Sequence, residues 1–184
     1  MRIALSVVMR QLPLFAFILA VGFSAGCAHY QLGTTGKLSF HTLYIAPVEN
    51  KSRLPQSVAI VSTQIREVFL HDGRVTLVDS PADADATLTV SLSNYGRDAT
   101  AARPDDTGLA RKFSLKLTAV CTLRDNRTGT ALYEKREVAA EQQIFTTATP
   151  QQLDSNQQQA EYQALPLLAA SLAQKVAHTT LDVW

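Results

Sequence analysis

The side chains that most often carry catalysis or bind metals lie far apart in this sequence. The four histidines lack the short spacing of a metal-binding pair; they are His29, His41, His71 and His178. The carboxylate pairs Asp83/Asp85 and Asp105/Asp106 fall in predicted loops, where such residues usually cap turns or face water. Glycine-rich phosphate loops and nucleophile elbows do not occur. We therefore predict a protein that is not an enzyme and holds no metal or cofactor.

Cys27 does stand where a covalent reaction is expected. It directly follows Ser24-Ala25-Gly26, and the tetrapeptide resembles the bacterial lipobox Leu-Ala-Gly-Cys, whose cysteine becomes lipidated. Ser24 departs from the large apolar residue usual in that motif. Thioether lipidation and N-acylation would supply several acyl chains, and two or more chains anchor stably because each buried methylene contributes roughly 0.8 kcal/mol. Ordinary cleavage that leaves a free thiol is the alternative.

The segment before this cysteine has the order of an export signal. Arg2 and Arg10 make it positive, and an almost unbroken apolar run follows from Leu12 to Phe23. That run of about 12 residues is short of the roughly 20 that span a bilayer. Residues 1–26 are therefore predicted to be a lipoprotein signal peptide rather than a membrane-spanning helix.

Residue 28 bears on where the anchored protein is sorted. It is Ala28 and not Asp, which by resemblance to lipoprotein sorting in enteric bacteria indicates the outer membrane. We expect residues 27–40 to form a lipid anchor and tether on the periplasmic side.

Composition narrows the remaining possibilities. The chain has 184 residues, of which 46% are hydrophobic, and its 17 Lys and Arg against 16 Asp and Glu give a formal net charge of +1. A dedicated nucleic-acid binder would show a strong basic excess, so no nucleic-acid partner is predicted. If Cys27 is lipidated, Cys121 has no disulfide partner, and the alternating apolar pattern around it predicts a small buried side chain.

Apolar periodicity predicts that residues 41–184 form a single α+β domain. The expected elements are strands at 41–48, 74–79, 86–93, 112–123 and 130–145, and helices at 55–70 and 149–180. The first strand–helix–strand run predicts a crossover and a parallel strand pair. The expected fold class is a mixed four- to five-stranded sheet with two helices packed on one face.

Local signals add detail to this fold. Residues 96–110 are small and polar and predict a long exposed loop, whereas Asp125–Gly129 predicts a hairpin turn with Gly129 at positive φ. Pro166 is expected to kink the last helix or split it in two. The Gln-rich start of that helix is interpreted as a solvated face. The strand face that does not meet the helices is rich in Thr and Ser and could dock a partner.

Several motifs together carry a family resemblance. They are the HYQLG that follows Cys27, LYIAPVENK at Leu43–Lys51, GRVTLV at Gly73–Val78, ADADATL at Ala82–Leu88, and LRDNRTG at Leu123–Gly129. A long Ala-rich C-terminal helix closes the chain. Over most of residues 27–182 this pattern resembles the lipopolysaccharide-assembly lipoprotein family LptE.

The resemblance implies a lipid-anchored domain that sits inside the outer-membrane β-barrel LptD, acts as its plug and assists delivery of lipopolysaccharide to the cell surface. A compact domain with a polar outer face suits the polar interior of a large barrel. The implied partners are an LptD-like barrel, lipopolysaccharide and the outer membrane.

Lipopolysaccharide carries phosphates, to which Arg can bind in a bidentate manner. The candidate contacts are Arg97, Arg103, Arg111, Lys112, Lys135 and Arg136. Arg97 and the pair Lys135/Arg136 come first, because a loop and a neighbouring strand could bring them together.

Two other functions stay open. One is an outer-membrane lipoprotein that activates a peptidoglycan synthase or assembles a secretion complex, since a stretch like Ala46–Lys51 also occurs there. The other is a periplasmic hydrolase whose site the sequence does not reveal.

Overall fold

The structure is a computed structural model that describes residues 38–54, 56–100, 110–147 and 153–182. The predicted signal peptide, Cys27 and most of the predicted tether lie outside these residues. Arg103 and the predicted helix start at Thr149-Pro150 lie outside them as well.

The described part of the chain contains six strands, two α-helices and a short 3-10 helix at Pro81–Asp83. The strands and α-helices are β1 (Thr42–Ile45), β2 (Glu49–Asn50), α1 (Ser57–Asp72), β3 (Thr76–Val78), β4 (Ala86–Thr100), β5 (Ala110–Asp125), β6 (Ala131–Thr147) and α2 (Leu153–Leu181). None of the helices in these residues is long and apolar enough to cross a membrane.

The strands form one mixed sheet in the order β3-β1-β4-β5-β6, with β2 also beside β4. Strand β1 runs parallel to β3 and β4, whereas β4, β5 and β6 are antiparallel neighbours. The predicted parallel pair and mixed α+β class are therefore confirmed. The sheet exceeds the expected four to five strands because of β2, whose two residues are too few to show any alternation.

The core lies between one face of the sheet and the two helices. Helix α1 buries Val61, Ile65 and Phe69, and α2 buries Leu168 and Leu172, all in a single cluster. The alternate residues of the central strands fill the other side of that cluster: Ala86, Leu88, Val90, Leu92, Leu115, Leu117, Ala119, Cys121 and Leu123. Burying a side chain of Leu size contributes about 2 kcal/mol, so this interface dominates the stability of the domain.

Strands β4 and β5 are longer than the apolar pattern predicted. Strand β4 continues to Thr100 and β5 begins at Ala110. The prediction of a loop over 96–110 is therefore wrong for residues 96–100 and 110, which lie in strands. A β-bulge between Leu92 and Asn94 shifts the register of β4 against β5. The extra residue reverses which alternate side chains face the core. The second half of β4 therefore does not continue the alternating pattern of the first half, and the sequence pattern did not reveal it.

Helix α2 runs from Leu153 to Leu181 with Pro166 inside it. Pro166 was expected to kink the helix or split it in two; the helix is not split, and a kink stays a prediction. Pro166 is exposed on the solvent side, where water can bond the carbonyl group that lacks its helical donor.

Two glycines of the described residues have positive φ, as predicted for Gly129. The α1 helix ends at Gly73, which has a φ of 71° and whose N–H donates to the carbonyl of Phe69 at 3.3 Å. Gly129 in the β5–β6 turn has a φ of 70°. The carboxylate of Asp125 accepts the backbone N–H groups of Arg127 and Thr128 in the same turn.

Candidate functional site

Arg97 lies on the helix-covered side of the sheet. In the β4–β5 register it is opposite Leu115, a core residue, and opposite residues in a sheet share a face. Its Nη1 lies 2.6 Å from Oε1 of Glu161 on α2. Side-chain exposure is 47% for Arg97 and 18% for Glu161, so the pair is only partly in water.

The same carboxylate has two more partners. The hydroxyl of Tyr95 donates to Oε2 of Glu161 at 3.2 Å, and the amide of Gln157 donates to Oε1 at 3.1 Å. Burial, and next the negative charge of Glu161, raise the pKa of Tyr95 to about 12. Tyr95 is therefore a neutral donor at physiological pH, and Arg97 balances the charge of Glu161.

Lys112 lies on the other side of the sheet. It is opposite Thr100 and Phe145, and its Nζ is 5.8 Å from the centroid of the Phe145 ring, a cation–π distance. Arg111 precedes it in β5, opposite Thr146, and its side chain falls outside the described part of the molecule.

Lys135 and Arg136 lie at an irregularity in β6. The register against β5 shifts there, Lys135 has a φ of 49°, and its N–H donates to Oγ1 of Thr122 at 3.2 Å. The guanidinium of Arg136 lies 4.7 Å from the centroid of the Tyr133 ring. Stacking holds the Arg136 guanidinium against that ring.

The structure does not bring Arg97 and the pair Lys135/Arg136 together. Arg97 is opposite Leu115 and Arg136 is opposite Cys121, on the same strand β5. Six residues of a strand span about 20 Å, so the predicted convergence is wrong. Sequence reasoning missed this because it placed Arg97 in a loop, whereas β4 continues through Arg97 to Thr100. Contact between these residues and lipopolysaccharide stays a prediction.

A groove lies beside the Arg97–Glu161 pair. It has a volume of about 510 Å³, within the range of small-ligand sites. Its lining residues are Leu54, Gln56, Tyr95, Gln158, Gln159, Glu161, Tyr162 and Leu165. The sequence held one usable signal for it: Gln158, Glu161, Tyr162 and Leu165 follow the spacing of one helix face. The groove also needs β4 and the segment before α1, which no local pattern places beside that face.

The described residues contain neither a metal-binding cluster nor a reactive thiol. No group of three or more His, Cys, Asp or Glu side chains that could hold a metal ion occurs among them. Cys121 is buried as predicted, and burial raises the pKa of its thiol to about 12. It therefore stays protonated and unreactive at neutral pH.

Comparison with known proteins gives the family. The model of the family LptE, described as lipopolysaccharide-assembly, matches residues 40–178, which is well over half of the chain. The chain belongs to the LptE family. This confirms the resemblance drawn from the sequence motifs to a lipopolysaccharide-assembly family. No curated protein matches the sequence.

The chain is similar to several solved structures at low identity. A hypothetical protein from Chlamydia trachomatis is 11% identical with a TM-score of 0.53, and the match covers 78% of this chain and 96% of that one. A minor lipoprotein from Acinetobacter baumannii is 17% identical with a TM-score of 0.49, over 79% and 94%. The rare lipoprotein B from Shewanella oneidensis is 12% identical with a TM-score of 0.44, over 73% and 93%. The first of these likenesses shows a shared fold.

Proposed function

We propose that this LptE-family protein is a lipoprotein of the outer membrane, anchored through Cys27 on the periplasmic side, which plugs the LptD β-barrel and assists lipopolysaccharide assembly at the cell surface. The family match over residues 40–178 carries this proposal. The protein acts by shape and polar complementarity, without a chemical step.

The open face of the sheet, the one that does not meet the helices, supports a plug. Two ion pairs lie on it: Lys116 lies 3.6 Å from Glu141, and Arg124 lies 3.9 Å from Glu134. Ion pairs and hydroxyl groups of this kind can lie against the polar wall of a barrel.

The tether is long enough for this arrangement. From Cys27 to Leu38, at about 3.5 Å per residue, the chain reaches up to roughly 40 Å. An anchor in the periplasmic leaflet therefore allows the domain to enter the lumen of a neighbouring barrel.

Lipopolysaccharide is proposed to meet the basic residues at separate places. Arg97 lies on the helix-covered face of β4, Lys112 lies on the opposite face of β5 next to Arg111 in the sequence, and Lys135 and Arg136 lie on β6. Of these, Lys112 has a cation–π contact and no carboxylate within ion-pair distance among the described residues. Its charge is therefore available to a phosphate group.

Co-purification tests the barrel partnership. The tagged full-length protein, extracted from its own cells in mild detergent, is expected to bring down a large outer-membrane barrel at equal stoichiometry. Cys27→Ala is the control for the anchor and should lose acylation by mass spectrometry. A monomer from wild-type cells would contradict the plug, and capture of a peptidoglycan synthase would favour the other envelope function.

Binding to lipopolysaccharide is tested with a matched pair of charge removals. Lys112→Gln should weaken binding of the full-length protein to purified lipopolysaccharide and reduce its salt dependence. Lys51→Gln removes the same charge from an exposed lysine paired with Glu49 and should leave binding unchanged. Equal binding by both variants would remove Lys112 from the site.

A further inference from the structure

We propose that the groove beside the N-terminal half of α2 binds a neutral sugar ring. The inference rests on the proposed function, because the glycan of lipopolysaccharide is the source of sugar that such a protein would meet. It adds a site without basic residues to the phosphate contacts proposed above.

The groove offers the two kinds of surface that a hexose presents. Leu54, Leu165 and the ring of Tyr95 form an apolar floor, and the ring of Tyr162 stands at the rim with 67% of its surface exposed. A pyranose has an apolar face of C–H groups that packs on such rings. An aromatic ring exposed this far gives contact area while few of its own degrees of freedom are lost on binding.

The polar groups of the groove are amides. The side-chain amides of Gln56, Gln158 and Gln159 make no hydrogen bond with another described residue. Each amide offers two donors and an acceptor, and sugar hydroxyl groups both donate and accept. Gln158 and Tyr162 are four residues apart on α2, so an amide and a ring share one face of the helix.

The charge of the groove favours a neutral ligand. Glu161 is the one charged side chain among the described lining residues, and Arg97 pairs with it at 2.6 Å. An added phosphate would meet the Glu161 carboxylate without a free cation in the lining. A fatty acyl chain would strip water from three amides without giving them a partner, which is unfavourable for each.

The proposal is tested by NMR titration, in which the signals of the side chains that line the groove are measured. Full-length protein is kept in a detergent without a sugar headgroup and titrated with maltotriose, which is neutral and free of phosphate. The side-chain amide signals of Gln56, Gln158 and Gln159 should shift, together with the methyl signals of Leu54 and Leu165. Shifts confined to other parts of the protein, or none, would overturn the proposal.

Two variants on α2 distinguish loss of the sugar site from a general effect of mutating an exposed residue of this helix. Tyr162→Ala removes an exposed ring and should weaken maltotriose binding about tenfold. Gln174→Ala, also exposed on α2 but outside the groove, should bind as the wild type does. Equal affinity of the two variants would contradict the assignment.

A second sugar tests whether lipopolysaccharide is the source of the bound sugar. Dephosphorylated, delipidated core oligosaccharide that binds more tightly than maltotriose would identify lipopolysaccharide as the ligand, and equal affinities would support a general sugar site. Inorganic phosphate that displaces maltotriose would contradict a neutral site. Tyr162→Ala should still co-purify with the barrel, so that failure of this site and failure of the plug are separate results.

Discussion

The guanidinium of Arg97 lies 2.6 Å from the carboxylate of Glu161, and this ion pair joins strand β4 to helix α2 across 64 residues of sequence. Because Tyr95 and Gln157 bond the same carboxylate, Glu161 is the centre of the contact and Arg97 is one of three partners. A mutation at either residue therefore changes the structure of the groove as well as its charge.

We expect Glu161→Ala to destabilise the protein by about 1–2 kcal/mol, because it leaves the half-buried Tyr95 hydroxyl without its acceptor. Arg97→Ala should lower the free energy of unfolding by less than about 1 kcal/mol, since Arg97 is half exposed and water screens the pair. Urea denaturation of the single and double variants measures both effects. A larger loss from Arg97→Ala than from Glu161→Ala would contradict this hierarchy.

Charge reversal at Arg97 is expected to destabilise the protein, because Arg97→Glu places two carboxylates side by side. The exchange Arg97→Glu with Glu161→Arg should recover part of the lost free energy of unfolding. Lipopolysaccharide binding by Arg97→Glu alone is therefore interpretable only beside its stability.

Stability should fall at alkaline pH as Tyr95 and Tyr133 ionise. Burial is the first cause that raises the pKa of each tyrosine to about 12, above the ordinary value of 10. A raised pKa gives stability that is fully present below pH 10 and lost as the pH rises through 12. Urea denaturation between pH 8 and 12 measures the loss, and Tyr95→Phe with Tyr133→Phe should reduce it. The remaining loss is expected from buried Cys121, whose pKa is also raised to about 12.

The Tyr133→Phe variant has a clear structural cost of its own. Oγ1 of Thr180 donates to the carbonyl of Val176 at 2.8 Å, so the Tyr133 hydroxyl is the donor in the 3.0 Å contact with Thr180. Removing it should destabilise the protein by about 1 kcal/mol at neutral pH. An unchanged alkaline slope in the double variant would exclude these two tyrosines as its source.

At acid pH, stability should fall through Asp85. The backbone N–H groups of His41 and Thr42 donate to one oxygen of its carboxylate at 2.9 and 3.0 Å. These hydrogen bonds, with that of His41 the larger cause, lower the pKa of Asp85 below the ordinary 3.8. The contribution is present above pH 3.8 and lost as the pH falls through the lowered pKa. Asp85→Ala should reduce the melting temperature at pH 7, and its difference from wild type should shrink below pH 3.8.

Asp83→Ala is the matched control for that measurement. Asp83 is an exposed carboxylate two residues away, and its removal should change the melting temperature little. Equal losses from Asp83→Ala and Asp85→Ala would show that the start of β1 does not depend on the Asp85 contact.

Lys175 is expected to protect the edge of the sheet. Strand β6 is last in the strand order, and the Lys175 Nζ donates to the carbonyl oxygen of Ala139 at 2.7 Å. The amide of Gln142 covers the carbonyl of Gln143 in the same strand at 3.1 Å. Exposed edge groups pair readily with another chain.

Lys175→Ala should therefore increase self-association, seen as a faster species by sedimentation velocity in detergent. Lys175→Arg keeps a donor and should remain monodisperse, as should Gln174→Ala beside it. A monomeric Lys175→Ala variant would indicate that charge along β6 is sufficient protection.

Much of the fold could be predicted because the signals are local. Alternation in residues 86–92 and 113–123 places one strand face in the core, and the turn at Asp125–Gly129 needs a residue that tolerates positive φ. The long apolar stripe of α2 is equally visible. The two-residue strand β2 and the second half of β4 could not be read in this way, since neither repeats a pattern long enough to detect.

The candidate site was only partly predictable. The sequence identified the basic residues and the family, but it placed Arg97 in a loop where the structure has it in β4. It also interpreted Gln158 and Gln159 as a solvated surface, because a helix pattern alone cannot reveal that a strand and a loop complete a groove beside it.

The sequence by itself determined which residues repeat with the period of a strand or a helix, where the chain turns, and to which family it belongs. The tertiary structure decided which side chains meet: a single extra residue near Ser93 reverses the faces of β4 and turns Tyr95 and Arg97 towards Glu161. The physical reason is that strand register is fixed by contacts between distant segments, and no local propensity contains that information.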